Sequence, residues 1–165
     1  MGSQVSICPV PPEQRPINEY QGLKESCFFG WSSLALKPYT LRVIGIWSCS
    51  WLVVGPVAAA SFDPLESPGQ FGLAAAAGAN LFLALILIRL YLGWAYICDR
   101  LLSQIVVYEE TGWYDCQSWP KPNEELAKEQ LVGMYQVRPT LKRLQITLGL
   151  LAGLSAIGGL VWQLL

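Results

Sequence analysis

From Tyr108 to Pro122 the chain reads Tyr-Glu-Glu-Thr-Gly-Trp-Tyr-Asp-Cys-Gln-Ser-Trp-Pro-Lys-Pro, a polar and aromatic run between two hydrophobic stretches. It gathers the groups that could carry chemistry: the carboxylates of Glu109, Glu110 and Asp115, the thiol of Cys116, and four aromatic rings. Adjacent residues on a helix point about 100° apart, so Glu109 and Glu110 do not form an acid–base pair with each other. Neither lies in a Glu-x-x-His arrangement of the di-iron kind. The sequence has no histidine. That removes the commonest metal ligand, the usual neutral-pH base and the usual activator of a cysteine nucleophile. The five cysteines (Cys8, Cys27, Cys49, Cys98, Cys116) stand far apart without a Cys-x-x-Cys pair, which argues against zinc, iron–sulfur clusters and a full disulfide framework. No phosphate-binding glycine loop, nucleophile elbow or dinucleotide fingerprint occurs. We therefore expect a non-enzymatic protein with no catalytic residues and no metal. What the run offers is recognition, because rigid rings with a polar edge dominate interface hot spots. Pro120 and Pro122 keep it stiff and lower the ordering cost of binding. The expected partner-binding residues are Trp113, Tyr114, Trp119, Tyr108, Glu109, Glu110 and Asp115. The competing reading packs these rings onto the N-terminal arm.

The elements around this run are those of an all-α integral membrane protein. Of 165 residues, 53% are hydrophobic and 14% charged, and the apolar ones fall in long runs instead of at helical period. Residues 1–40 form a polar arm broken by Pro9, Pro11, Pro12 and Pro16, with Asn18 as an expected N-cap and Gln21 three residues on. Tyr20, Leu23, Cys27 and Trp31 then suggest a short helix at headgroup level. Residues 41–62 read as the first span, kinked at Pro56. Residues 70–92 read as the second, opening with small residues that allow close helix approach, Gly72 and Ala76 among them. Asn80 is its deepest polar residue and reads as an interhelical hydrogen-bonding group, with a pigment or ion ligand as the alternative. Arg89 reads as an interfacial anchor. The apolar stripe Leu90, Trp94, Ile97, Leu101, Ile105 and Tyr108 predicts that this helix continues to about residue 110. Residues 111–140 are expected to hold the loop and a second amphipathic helix, capped by Asn123 and closed by Pro139. Residues 141–165 read as the third span, where Gly149 and Gly153 form a Gly-x-x-x-Gly packing face.

Basic residues cluster before the first span and between spans two and three, up to Lys142 and Arg143 at the entry of the third, while Asp63–Gly69 and the C-terminus carry none. The positive-inside rule then puts the N-terminus and the long loop on the cytoplasmic or stromal side and the C-terminus on the other. Arm and loop are expected to form one amphipathic-helix cap. No signal or transit peptide is expected, since the first long apolar run starts near Leu41 and the start is not rich in arginine and serine. The net charge of −1 argues against nucleic acid as a partner.

Cys8-Pro-Val-Pro-Pro-Glu-Gln-Arg-Pro-Ile-Asn-Glu-Tyr20, Ser26-Cys-Phe-Phe-Gly-Trp31, and Tyr108 through Asp115 to Trp119-Pro-Lys-Pro122 resemble the hypothetical chloroplast reading frame thirty-six family. This is the group also described as conserved in the green lineage and diatoms. The likeness covers nearly the whole chain. Tryptophan and glycine are usual in the family where this chain has Cys27 and Cys116, so those thiols carry no general role. The resemblance implies a thylakoid membrane, a link to photosynthesis and a cyanobacterial-type member. It leads us to expect an accessory or assembly factor of a photosynthetic membrane complex, with photosystem or cytochrome-complex subunits and membrane lipid as partners and no required cofactor. The alternative is a pigment-, haem- or iron-handling protein. Chlorophyll or another pigment would then be held by Asn80, Gln70, Glu109 or Glu110, or by backbone or water.

Overall fold

The computed structural model describes residues 9–109 and 116–164. Among the described residues, three helices are long and apolar enough to cross a membrane, as the apolar runs require. Helix α1, Pro16–Glu25, lies in the arm. It is followed by a short 3-10 turn, Gly30–Ser33. Helices α2, Leu36–Ala59, and α3, Pro68–Leu102, form the first two spans. A β-hairpin follows, with β1 at Ile105–Glu109 and β2 at Cys116–Pro120. Helix α4, Asn123–Val132, then runs through a π turn at Gly133–Val137 into α5, Arg138–Trp162.

Several boundaries differ from the sequence expectation. Asn18 does not cap α1: Pro16 takes the first helical position, where its missing N–H costs nothing, and the Asn18 amide donates to Pro12 O at 2.7 Å. Helix α3 stops at Leu102 and does not reach residue 110. Ile105-Val106-Val107 is β-branched throughout and favours a pleated strand. Its burial alternates with period two, Val106 and Tyr108 inward, Ile105 and Val107 outward. The helical stripe misled because Ile105 and Tyr108 also satisfy a spacing of three. Asn123 is the first residue of α4, not its cap.

Pro139 does not end a helix either, and Asn123–Trp162 is one continuous helix. A proline ring clashes with the carbonyl four residues back and supplies no N–H. The π turn absorbs this, with the Arg138 N–H reaching back to Gly133 O.

The core lies along α3. Leu83, Leu87, Leu90, Trp94 and Leu101 are almost fully buried, and Leu144 and Val137 meet them from the last helix. Close approaches at three positions need glycine, and the tightest is Gly30, where a Cβ would lie against the backbone carbonyl of Lys24. A Cβ on Gly78 would run into the side chain of Val54, and one on Gly93 would come within 2.5 Å of the Phe29 ring. At Gly149, Gly153 and Gly72, by contrast, an added Cβ meets nothing within 4 Å. Among the described residues, therefore, nothing packs closely on the Gly-x-x-x-Gly face.

Candidate functional site: a polar-bolted cap on the membrane helices

At one end of the bundle, arm, hairpin and α4 come together as a cap. Two cations at the C-terminal end of α3 organise it. Arg100 sits in the last turn of α3, where a positive charge suits the helix dipole. Its guanidinium donates to Gln14 O at 2.8 Å, to the Tyr96 hydroxyl at 2.8 Å and, at 3.5 Å, to Val107 O. Its Nε lies 3.3 Å from a Glu19 carboxylate oxygen. One planar fork thus ties α3 to the arm, α1 and β1, which lysine's point charge would not do.

Lys121 follows the hairpin, and its side chain is 2% exposed. Its ammonium donates to Arg100 O at 2.7 Å and Leu101 O at 3.4 Å, which caps the open carbonyls at the end of α3. It also pairs with Glu129 of α4 at 2.5 Å. The Lys121 backbone N–H bonds Gln104 O at 3.0 Å and closes the base of the hairpin.

The arm is fastened by backbone mimicry. The Gln14 side-chain amide donates to Glu109 O at 3.0 Å and accepts from Glu109 N–H at 2.9 Å, like a residue of a neighbouring strand. Val10 then packs against Val106, Tyr108 and Trp119 in a small separate core. Further along, Trp94 Nε1 donates to Ser32 Oγ at 2.6 Å and Tyr20 OH donates to Gln136 Oε1 at 2.5 Å. Arg143 donates to Leu34 O at 2.5 Å and lies over the Tyr39 ring. Burial pushes the Glu19 carboxyl above its usual range, and the neighbouring Arg100 charge pulls the other way.

These contacts place the expected site residues. Tyr108 is buried, and Trp119 is half-buried in the same small core. Both rings therefore pack on the arm through Val10, which for Trp119 is the competing reading. Glu109 is held through its backbone by Gln14. Glu110, Trp113, Tyr114 and Asp115 lie outside the described residues. The outward face of the hairpin instead presents Ile105, 52% exposed, and Val107, 55% exposed. Beneath the hairpin is a small cleft of about 180 Å3 where Arg15, Lys121 and Lys128 meet Glu125 and Glu129.

In the membrane part, Asn80 joins all three spans. Trp47 Nε1 donates to its Oδ1 at 2.9 Å, and its Nδ2 donates to Ser155 Oγ at 3.3 Å. That is the interhelical role read from sequence. Arg89 lies over the Phe29 ring with its guanidinium carbon 5.3 Å from the centroid, as an interfacial anchor would. Ala76 lines the crevice between the helices and Gly72 has no close partner. Among the described residues, Cys27, Cys49, Cys98 and Cys116 are free thiols, Cys98 buried. No group of three or more cysteine and carboxylate side chains is placed to hold a metal among the described residues.

Reasoning from sequence missed Arg100, Lys121 and Gln14. Each acts on backbone groups brought near by the fold, which no residue pattern in the sequence signals.

Residues 8–150 match the family described as CGLD27-like, conserved in the green lineage and diatoms 27. A chloroplastic Arabidopsis thaliana protein named for the same group is 49% identical over 140 residues, covering 84% of this chain and 43% of the relative. The chain thus spans less than half of that protein. An uncharacterized protein ycf36 of Cyanophora paradoxa is 46% identical over 144 residues, covering 87% of this chain and 91% of the relative. The ycf36 protein of Pyropia yezoensis is 41% identical over 145 residues, 88% of each chain. No solved structure matches. The matched region runs from the arm through the cap into the third span, and by it the chain belongs to the CGLD27-like family, together with the ycf36 proteins.

Proposed function

We propose that the protein is a non-enzymatic accessory or assembly factor of a photosynthetic complex in the thylakoid membrane, docking through its cap. The observation that carries this reading is the build of the cap. Arg100, Lys121 and Gln14 fix arm, hairpin and α4 to the ends of the membrane helices, and the hairpin still turns Ile105 and Val107 outward. A prefixed apolar patch binds at low ordering cost, and exposed aliphatic strand residues above a membrane suit a membrane-bound partner. The open Gly149–Gly153 face offers close packing to a partner's helix. The chloroplastic relative and the family's description support the photosynthetic setting. The distribution of lysine and arginine supports a cap on the cytoplasmic or stromal side and a lumenal C-terminus.

Affinity purification from detergent-solubilised thylakoids tests the reading. The natural chain should bring down subunits of one photosystem or cytochrome complex, and Ile105→Glu with Val107→Glu should lose them while the protein still accumulates in the membrane. Recovery of the protein alone, or of the same subunits with the charged hairpin, counts against it.

A further inference from the structure

The three membrane helices do not close along their full length. Between them lies a crevice of about 790 Å3, within the range of small-molecule sites. Phe62 and Trp162 meet edge to face at its rim with centroids 5.3 Å apart, and no charged residue lines it. Its principal polar groups are Asn80 and Ser155.

The orientation of these two groups can be derived. An indole N–H only donates, so the 2.9 Å contact with Trp47 fixes the Asn80 oxygen toward α2 and its nitrogen toward Ser155. The amide keeps a second N–H. Ser155 accepts from Asn80, and its own proton is unused among the described residues. Ser50, Thr140 and Thr147 turn their hydroxyls back on their own backbone, to Ile46 O at 2.8 Å, Gln136 O at 3.1 Å and Arg143 O at 3.0 Å. Ser155 makes no such bond among the described residues. Asn80 lies twelve residues into α3 from Pro68, about 18 Å along the axis and close to the bilayer midplane. Two donors without acceptors at that depth are costly.

We propose that the crevice binds a neutral lipophilic molecule carrying a ring carbonyl, of the prenylated quinone class, with its carbonyl oxygen at Asn80 and Ser155 and its ring beside Trp47. The uncharged lining selects a neutral ligand, and the free donors select an acceptor. An acyl chain has no acceptor at mid-bilayer, its ester lying at the interface. A partner's helix has its backbone carbonyls bonded within itself.

The purified protein in detergent should show saturable tryptophan quenching by decyl-benzoquinone, and the bound probe's carbonyl stretch should shift to lower wavenumber. Losing one hydrogen bond in Asn80→Leu should weaken binding about five- to tenfold. The near-isosteric Ser155→Ala should weaken it about threefold and reduce the carbonyl shift, which keeps a test in hand if the Asn80 variant does not fold. Gly159→Leu should abolish binding by filling the crevice, with the fold unchanged, since an added Cβ there meets nothing within 4 Å. Non-saturable quenching, an unshifted carbonyl, or variants that bind as tightly as the natural chain would overturn the proposal. So would release of a bound membrane subunit by Gly159→Leu from a protein that does not bind the quinone.

Discussion

Replacing Lys121 by methionine keeps the length and apolar stem of the side chain and removes its charge. Three contacts go with it: the 2.5 Å pair with Glu129 and the bonds to Arg100 O and Leu101 O. The Glu129 side chain is 10% exposed, so it is left as a nearly buried charge without its partner. Breaking one side of such a pair costs about 3–5 kcal/mol. Replacing both members by apolar side chains removes the stranded charge and leaves only the two helix-end carbonyls to water, about 1–2 kcal/mol. Lys121→Met should therefore destabilise the cap by about 3–5 kcal/mol, and Lys121→Met with Glu129→Leu by about 1–2 kcal/mol. The difference is a coupling of about 2–3 kcal/mol. Hydrogen exchange of the Val106 and Tyr108 amides in detergent reads this directly. Exchange should accelerate by about two to three and a half decades in the single variant, at 1.4 kcal/mol per decade, and by about one decade in the double. If the double variant exchanges as fast as the single one, the Lys121–Glu129 pair does not hold the cap and the reasoning fails.

Gln14→Ala removes both amide bonds to Glu109, about 1–3 kcal/mol, and should expose the arm to limited proteolysis before the membrane helices. Gly78→Ala drives a Cβ into Val54 and should lower the thermal midpoint in detergent by an amount equivalent to about 1–3 kcal/mol. Gly153→Leu, with open space around it, should leave that midpoint unchanged; a fall of similar size would mean that the face is packed within the chain. Glu19 gives a pH dependence whose sign follows from its raised pKa. A carboxyl that binds its proton more tightly in the folded cap adds stability below its ordinary value near 4.5, and that contribution is lost as pH rises through the folded value. Glu19→Gln should flatten the decline of cap stability with pH across that window, measured by the same amide exchange.

The membrane helices were legible because long apolar runs state their environment without reference to the rest of the fold. The same holds for Asn80, since a polar side chain deep in a span has few fates other than an interhelical bond. The hairpin was not legible from the apolar stripe: Leu101, Ile105 and Tyr108 fit a helix by spacing, while Ile105-Val106-Val107 fits a strand by side-chain type. The chain settles this by pairing Val106 with Trp119 and Tyr108 with Gln117, a contact between residues that no local window contains. Pro139 misled for a similar reason. Its local rule ends a helix, but one extra residue in the preceding turn lets the backbone pass.

The cap also shows why its polar residues escape a reading by residue type. Arg100, Lys121 and Gln14 all bind backbone groups: carbonyls at the end of α3, a carbonyl of the arm, both groups of Glu109. Such groups belong to every residue, so the partners leave no trace in the sequence, and the donors look like ordinary surface polar residues until the fold brings their partners to them. Ion pairs of this kind add little net stability over apolar packing. Their value here is geometric. A guanidinium that must meet Gln14 O, Tyr96 and Glu19 together admits one placement of the arm, and an ammonium capping α3 admits one hairpin exit. The outward direction of Ile105 and Val107 is thus set by charged groups that lie away from the hairpin's exposed face. If the cap docks as proposed, docking should fail as fully in Lys121→Met as in the doubly charged hairpin, although Lys121 lies beneath the hairpin and not on its outward face.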